Sequence, residues 1–319
     1  GGGGLFQDDD SRIKMPYWAL RLLLLRHSNS ELSAISLGAG PLHRRLSRFC
    51  ARRAYHAMDG LSVRDEFARE WMEIAVGQPV PVVPDPAFLL PPAPERDADR
   101  LLAELGIPPG TPLIGVALRR WFHPRGGLIP HRLRVAMGLD RGQGGAEMHR
   151  WLEQMRRALK LLSDELGARV LLLPSYPAPH EGDLAVCREL AARLPETEPR
   201  VAVVRNPRQY KALCGRLQLM ISARMHPLIL AAGMGVPLVG LGYNGKFDGL
   251  FRMLGLPPQV IPLDAFRQGT CVARLVATAQ EAMQWDGDLA ARCEELALRT
   301  QAGVHALIGT RPQAEGERP

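Results

Sequence analysis

Two cationic side chains, Arg224 and His226, interrupt an apolar stretch in the second half of the chain. They follow residues 217–222, LQLMIS, an apolar run that is too short for a helix and predicts a buried strand. Pro227 suits the first turn of a helix, because its missing N–H would have no partner there. A helix N-terminus attracts anions through its free N–H groups. Together these residues predict a binding site for a phosphate or a carboxylate.

Arg119 is predicted to occupy the same kind of position on another strand. It follows the apolar residues 113–118, with Arg120 as the alternate if the register is shifted by one. In open α/β sheets ligands bind where strands end and helices begin. Two guanidinium groups at that edge could take a phosphate and a carboxylate through paired hydrogen bonds. The alternative for each arginine is a salt bridge to a neighbouring acid.

Three further side chains are candidates for chemistry. His226 is the candidate general acid or base, because histidine is the side chain most often used for proton transfer, although it could instead only cap the helix or bind an anion. Lys246 follows a Gly-rich polar loop and could reach a phosphate or position Tyr243, the alternative being a solvated lysine. Asp85 lies between two prolines as a second acid or base, or as the cap of the next turn.

Three consecutive acids at residues 8–10 suggest a metal site at first sight. Three neighbours on a helix cannot all face one ion, so a solvated first helical turn is expected instead. Accordingly, neither a metal nor a cofactor is expected. Loss of activity on chelation, restored by magnesium, would refute this.

Alternating strand and helix patterns predict the elements that carry these residues. In the first part of the chain, predicted strands at residues 31–37, 60–63 and 80–83 alternate with helices, which is typical of a doubly wound α/β fold with a parallel sheet. The proline-rich residues 91–94 form the clearest linker. With 319 residues, the chain is expected to form two domains, 1–92 and 93–319, the second ending in helices.

Composition narrows the function classes. The net charge is +7, and lysine occurs only at positions 14, 160, 211 and 246, an arginine skew attributed to coding bias. No motif of interleaved aromatic and basic residues supports nucleic-acid binding. Five dispersed cysteines favour reduced thiols and a cytoplasmic location. The basic loop 122–147 could close over a substrate or contact an anionic membrane surface, or be a variable insertion.

The chain begins with four glycines and no initiator methionine. A Gly-rich turn normally follows a strand, and no strand precedes this one. The first domain is therefore expected to be truncated at its start, and the chain to be a fragment.

With these elements placed, the chain resembles the polysaccharide pyruvyl transferase family. The resemblance runs from the Gly-rich turn and aspartate at 1–8, through SVRDE at 62–66 and PDPAF at 84–88, to ALRRW at 117–121. It is strongest in ISARMHPLILAAGMGVPLVGLGYNGK at 221–246. There the family shows Arg-Leu-His, an apolar helix, Gly-Val-Pro and a Tyr-Asp-Pro-Lys loop.

The resemblance implies two Rossmann-like domains arranged as in GT-B glycosyltransferases, with the active site in the cleft. It implies transfer of a pyruvyl group from phosphoenolpyruvate to a sugar of a cell-surface polysaccharide or its lipid-linked precursor. The protein itself would have at most a peripheral contact with the inner membrane surface. The implied catalytic residues are His226 and Asp85. The implied substrate-binding residues are Arg224, Met225, Arg119, Lys246 and Tyr243.

The chain departs from the family pattern at two places. Met225 replaces a leucine, which is a nearly volume-conserving change. Asn244-Gly245 replaces Asp-Pro and removes a carboxylate, which affects acceptor specificity or activity if that carboxylate takes part.

Two alternative functions stay open. One is a GT-B glycosyltransferase or epimerase that uses a nucleotide sugar, although Asp248 is the only nearby acid that could hold a ribose. The other is an inactive fragment that only binds an anion.

Overall fold

The computed structural model describes residues 4–9, 11–28, 31–120, 137, 145–176, 182–242, 245–262, 265–266 and 268–309. Within this part the chain divides into two compact units. The first comprises the residues up to Leu89 together with those from Glu295 onward, and the second runs from Leu90 to Glu294. The expected domain limits, 1–92 and 93–319, stay a prediction.

The first unit is built on two parallel strands. Its elements in chain order are α1 (Lys14–His27), β1 (Ser33–Leu37), α2 (Arg45–His56), β2 (Gly60–Val63) and α3 (Glu66–Val76), followed by a short 3-10 turn (Pro86–Leu89). The core of the unit contains fully buried apolar side chains from the helices and from β2, among them Met15, Ala51, Ala54, Val63 and Met72. Strand–helix alternation, the basis of the sequence prediction, is confirmed here.

The strand predicted at residues 80–83 is wrong. Only a single parallel bridge joins Val82 to Val63, formed by hydrogen bonds from Val63 N to Pro81 O and from Val83 N to Val63 O, 2.9 and 2.8 Å long. Pro81 has no N–H to donate, and Pro84 ends the extended segment. The apolar pattern is therefore present, but the pairing does not extend beyond one bridge.

The expectation for the acids at residues 8–10 is also wrong for Asp8, which is 1% exposed. Its carboxylate accepts the backbone N–H groups of His43 and Arg44, at 3.2 and 2.8 Å, just before α2 begins. The first helix starts at Lys14, so Asp8 precedes it; its carboxylate binds the chain just before α2 and is not in a solvated turn. Among the described residues no group of three or more His, Cys, Asp or Glu side chains could hold a metal ion.

The second unit is built on a six-stranded parallel sheet in the order β5-β4-β3-β6-β7-β8. Its elements are α4 (Glu95–Glu104), β3 (Leu113–Ala117), α5 (Gly145–Leu166), β4 (Arg169–Leu172), α6 (Asp183–Ala192), a 3-10 turn (Pro195–Thr197), β5 (Arg200–Val201), α7 (Pro207–Cys214), β6 (Leu219–Ser222), α8 (Met225–Ala232), β7 (Leu238–Gly242), α9 (Lys246–Met253), β8 (Val260–Pro262), α10 (Cys271–Gln284) and α11 (Leu289–Gly309). The residues of α11 from Glu295 onward belong to the first unit.

Helix α5 supplies much of the core of the second unit. Apolar residues recur every three or four positions along it, which places one face against the sheet. The fully buried ones are Trp151, Leu152, Met155, Ala158, Leu159 and Leu162. Trp151 meets Phe266 edge-on, with ring centroids 6.1 Å apart. Helix α5 thus covers one face of the sheet that contains β3 and β4.

No helix within the described ranges is both long enough and apolar enough to cross a bilayer.

Gly40 is a position where the fold of the first unit tolerates no side chain. Its φ is +77°, and a β-carbon there would lie 2.3 Å from Cδ1 and 2.9 Å from Cβ of Trp71. A left-handed backbone costs a non-glycine residue about 1–2 kcal/mol, and overpacking adds about 1–3 kcal/mol. Gly40→Ala is therefore expected to lower the free energy of unfolding by about 2–5 kcal/mol, measured by urea denaturation.

Gly77 provides the matched control for this change. Its φ is also +77°, but a β-carbon there would meet nothing within 4 Å. Gly77→Ala should therefore show only the backbone cost of about 1–2 kcal/mol. Equal losses in the two variants would mean that Trp71 moves aside freely.

Candidate functional site

Three neighbouring strands of the second sheet deliver the predicted site residues to one edge. Ala117 pairs with Ser222, and Ser222 pairs with Gly240, so β3, β6 and β7 end side by side. The chain moves outward from β3 to β4 and β5, then returns to the other side of β3 as β6. The strand order therefore reverses between the neighbouring strands β3 and β6, and this is the topological switch point of the sheet. In open α/β sheets this is the position where ligands bind.

The turn after β6 is fixed by Ser222, which is fully buried. Its hydroxyl donates to the carbonyl of Arg224 at 2.7 Å and accepts the N–H of the same residue at 3.0 Å. The N–H of Ala223 donates to the carbonyl of Ala117 at 2.8 Å, which joins the turn to β3. Arg224 keeps an extended backbone, and α8 begins at Met225. The side chain of Arg224 therefore begins at the switch point of the sheet.

Arg224 forms a two-point salt bridge with Asp183, the first residue of α6. Its Nε lies 3.0 Å from Oδ2, and its Nη2 lies 2.5 Å from Oδ1. The Asp183 side chain is 0% exposed, whereas that of Arg224 is 20% exposed. The salt bridge considered as an alternative for Arg224 is thus present. Binding of a ligand anion by the same guanidinium stays a prediction.

Arg119 belongs to the same electrostatic group. Burial raises the pKa of the Asp183 carboxyl, while the hydrogen bonds and charge of Arg224, the charge of Arg119 and the N–H of Tyr176 act in the opposite direction. That N–H donates to Asp183 Oδ2 at 3.2 Å. The sheet edge therefore gathers two guanidinium groups around one buried carboxylate.

The two arginines after β3 differ in exposure. Arg119 is half-buried and Arg120 is exposed. Arg120 lies beside the start of α6, since a β-carbon on Gly182 would be 3.5 Å from its Cβ. Arg119, rather than Arg120, is thus the arginine whose charge acts on Asp183.

His226 and Met225 occupy the first turn of α8, where His226 is exposed and Met225 is half-buried. Lys246 is the first residue of α9 and is only 8% exposed, so the alternative of a solvated lysine does not hold. Tyr243, like Asn244, lies outside the described residues.

Asp85 belongs to the first unit, where it caps a turn. Its Oδ1 accepts the N–H of Ala87 at 3.0 Å, at the start of the 3-10 turn Pro86–Leu89. Its Oδ2 lies 3.7 Å from Nη1 of the buried Arg64, whose Nε donates to Asp65 at 3.0 Å. The capping alternative is therefore realised, and a catalytic role for Asp85 stays a prediction.

All five cysteines are free and buried. Burial raises the pKa of the Cys187 thiol to about 12, and that of Cys271 also to about 12. A thiol with such a pKa carries almost no thiolate at neutral pH. These side chains fill space and are poor candidates for nucleophilic chemistry.

Comparisons with known proteins bear on the family and on the fold of the chain. A family model described as polysaccharide pyruvyl transferase matches residues 1–245 of the 319. No curated protein sequence matches the chain.

Several solved structures are similar in fold. HepE from Anabaena in complex with UDP has a TM-score of 0.55 at 12% identity, covering 92% of this chain and 77% of that one. UDP-GlcNAc 2-epimerase from Neisseria meningitidis has a TM-score of 0.53 at 10% identity, covering 92% and 73%. The corresponding epimerase from Methanocaldococcus jannaschii has a TM-score of 0.51 at 10% identity, covering 93% and 76%. At such identities they show the fold alone, and the predicted Rossmann-like, GT-B-like α/β architecture is confirmed.

Proposed function

Because this chain belongs to the polysaccharide pyruvyl transferase family, we propose that it transfers a pyruvyl group from phosphoenolpyruvate to two hydroxyls of a sugar. The acceptor would be a sugar of a cell-surface polysaccharide, such as an exopolysaccharide, or of its lipid-linked precursor. One observation carries the proposal. Arg119 and Arg224 both follow strands at the switch point of the second sheet, and the charges of both act on the buried carboxylate of Asp183.

The donor would be held by fixed cations. Phosphoenolpyruvate has a phosphate and a carboxylate only a few atoms apart, and planar guanidinium forks bind both groups through paired hydrogen bonds. Arg119 and Arg224 supply such forks from adjacent strands. Lys246 adds a cation after the next strand, β7, and Met225 would line the site from the first turn of α8.

The reaction needs two proton transfers. The two acceptor hydroxyls form C–O bonds to C2 of the donor, and the C2–O bond to the phosphate breaks. One hydroxyl proton goes to the methylene carbon, which becomes a methyl group, and the other leaves with the phosphate. His226, exposed at the start of α8, is the proposed acid and base for these transfers.

The acceptor side is proposed from the resemblance alone. Tyr243 would contact the sugar or the donor, and Asp85 would act as a second acid or base. Asn244-Gly245 lacks the carboxylate that the family usually has in this loop, so acceptor choice is expected to differ here.

We also propose that the reaction takes place in the cytoplasm, with peripheral contact to the inner membrane surface. Free, buried cysteines support a reducing compartment. A net charge of +7 favours anionic surfaces. Most of the basic loop 122–147 lies outside the described residues. Co-sedimentation with phosphatidylglycerol vesicles but not with phosphatidylcholine vesicles tests this, and equal recovery in both supernatants would contradict it.

A nucleotide-sugar enzyme is the alternative function. It is suggested by the fold shared with structures that contain UDP or UDP-GlcNAc, a likeness that speaks for architecture only. The family match favours pyruvyl transfer. A protein that only binds an anion is the remaining alternative.

Phosphate release from phosphoenolpyruvate in the presence of acceptors containing galactose, mannose or N-acetylmannosamine tests the proposal directly. We expect release with at least one acceptor and, by calorimetry, binding of phosphoenolpyruvate but not of UDP-sugars. Binding of UDP-sugars alone would favour the alternative enzyme. Binding of phosphoenolpyruvate without release for any acceptor would favour the inactive form.

A further inference from the structure

We propose that Asp183 is a positioning residue, which holds the guanidinium of Arg224 in the orientation that receives the donor anion. The sequence gives no sign of this role, because an acid at the start of a helix is ordinary. The inference rests on the proposed function for the identity of the donor. Its first test needs no donor at all.

The contact geometry fixes the plane of the guanidinium group. Asp183 accepts from Nε and Nη2, which form one edge of the planar fork, at 3.0 and 2.5 Å. A two-point contact removes rotation about the last bonds of the side chain, which a single hydrogen bond would allow. The edge that carries Nη1 lies on the far side of the group from Asp183. Arg224 therefore presents that edge in a defined direction.

Asp183 is itself held rigidly. Its side chain is 0% exposed, and the N–H of Tyr176 donates to Oδ2 at 3.2 Å. It stands at the first position of α6, after Gly182 with φ +74°, where the helix dipole favours a negative charge. The position of α6 therefore determines where the guanidinium of Arg224 lies, although Arg224 itself follows β6.

Stability alone is a poor explanation for the buried ion pair of Asp183 and Arg224. Taking a carboxylate out of water is unfavourable, and well-packed apolar residues often replace buried ion pairs without loss. Burial is the largest influence on the pKa of Asp183 and raises it, against the attraction of both arginines. The gain from the arrangement is in the geometry of the arginines, which is what a small anionic donor requires.

Removing the Asp183 charge has opposing effects on donor affinity. The site becomes more positive, which favours an anion, while Arg224 loses its fixed orientation, which disfavours it. The rate responds differently, because a misplacement of about 1 Å can lower it about 100-fold. Asp183→Asn should therefore reduce kcat by about 100-fold and change the dissociation constant for phosphoenolpyruvate by less than about ten-fold.

The first test observes the Nε–H of Arg224 by NMR, with Arg224→Lys to assign the resonance. In the wild type this resonance should be resolved and protected from exchange with water, and it should shift on addition of inorganic phosphate. In Asp183→Asn it should move to the position of exposed arginines. A resonance unchanged in Asp183→Asn, or one that phosphate does not shift in the wild type, would overturn the inference.

The second test measures kcat and donor affinity separately. Asp164→Asn is the matched control, since Asp164 is 61% exposed and pairs with Lys160 on the same helix. It should leave both quantities unchanged. Unchanged kcat in Asp183→Asn, with or without tighter binding, would show that Asp183 merely lowers the charge of the site. If Asp183→Asn does not fold, Asp183→Glu replaces it, with an expected kcat loss of at least ten-fold at similar affinity; equal kcat would overturn the inference.

Failure of the proposed function can be told apart from failure of this inference. If the wild type neither binds phosphoenolpyruvate nor releases phosphate, the proposed function is wrong. The NMR titration with inorganic phosphate then decides by itself whether Asp183 orients an anion-binding arginine.

Discussion

His226→Gln is expected to lower the rate of phosphate release from phosphoenolpyruvate by about 10²–10⁴-fold, the usual contribution of a general acid or base. Glutamine keeps a hydrogen-bonding side chain but does not titrate, so proton transfer is lost. The dissociation constant for phosphoenolpyruvate should stay within several-fold, because Arg119 and Arg224 are untouched. Phosphate release and calorimetry on the same preparation measure both quantities.

His149→Gln is the control for this substitution. His149 is an exposed histidine on α5, in the same unit, and contacts Arg193 at the helix surface. It should leave both turnover and donor affinity unchanged. Unchanged turnover in His226→Gln would remove His226 from the mechanism and leave it as an anion-binding or capping residue.

Arg224→Met is expected to have the largest effect on stability. It leaves the carboxylate of Asp183 buried without its two-point partner, and such a loss costs about 3–5 kcal/mol. Donor affinity should fall as well, by about 10–150-fold, because a charge-assisted hydrogen bond contributes about 1.5–3 kcal/mol. Urea denaturation and calorimetry measure the two effects.

Two further variants separate those effects. Combining Arg224→Met with Asp183→Leu removes the uncompensated charge, so stability should recover while donor affinity stays low. Arg120→Met changes the exposed neighbour of Arg119 and should alter stability by at most about 0.5 kcal/mol. Full donor affinity in the double variant would exclude Arg224 from the donor site.

The stability of Arg224→Met should also depend on pH. Burial already raises the pKa of Asp183 above 3.8, and loss of Arg224 removes the main opposing influence. A carboxyl with a raised pKa binds more protons in the folded than in the unfolded state, so stability increases as pH falls toward the unfolded value. The difference in stability between Arg224→Met and the wild type should therefore shrink as the pH falls from 7 toward 3.8. A constant difference would indicate that Asp183 becomes solvated in the variant.

Elements with a strong local pattern could be predicted from the sequence. The strand β6 and the helix α8 follow from an apolar run, a charged turn and a proline, and both are present. Residues 80–83 have a strand-like apolar pattern, but Pro81 has no N–H to donate and Pro84 follows directly. The three-residue strand β8 was not predicted, since it is too short for a periodic pattern. Whether such a short segment forms a strand depends on its pairing with neighbouring strands, and a local sequence pattern does not show that pairing.

The same distinction applies to the residues of the candidate site. Arg119 and Arg224 follow predictable strands, so their meeting at one edge could be inferred from parallel topology. Asp183 could not, because its partner lies 41 residues away and its burial depends on tertiary packing. Likewise, the burial of Asp8 depends on N–H groups 35 and 36 residues further along the chain.

The pairing of β3 with β6 joins two parts of the chain that are far apart in sequence. Ser222 meets Ala117 across 105 residues of chain, and such long-range contacts form slowly because a large loop must close first. The helices and strands in between can form earlier without creating the anion site. A ligand that requires both strands binds only the folded unit and stabilises it by about 2.7 kcal/mol at 100 times its dissociation constant. A thermal shift with phosphoenolpyruvate would thus report completed folding as well as recognition.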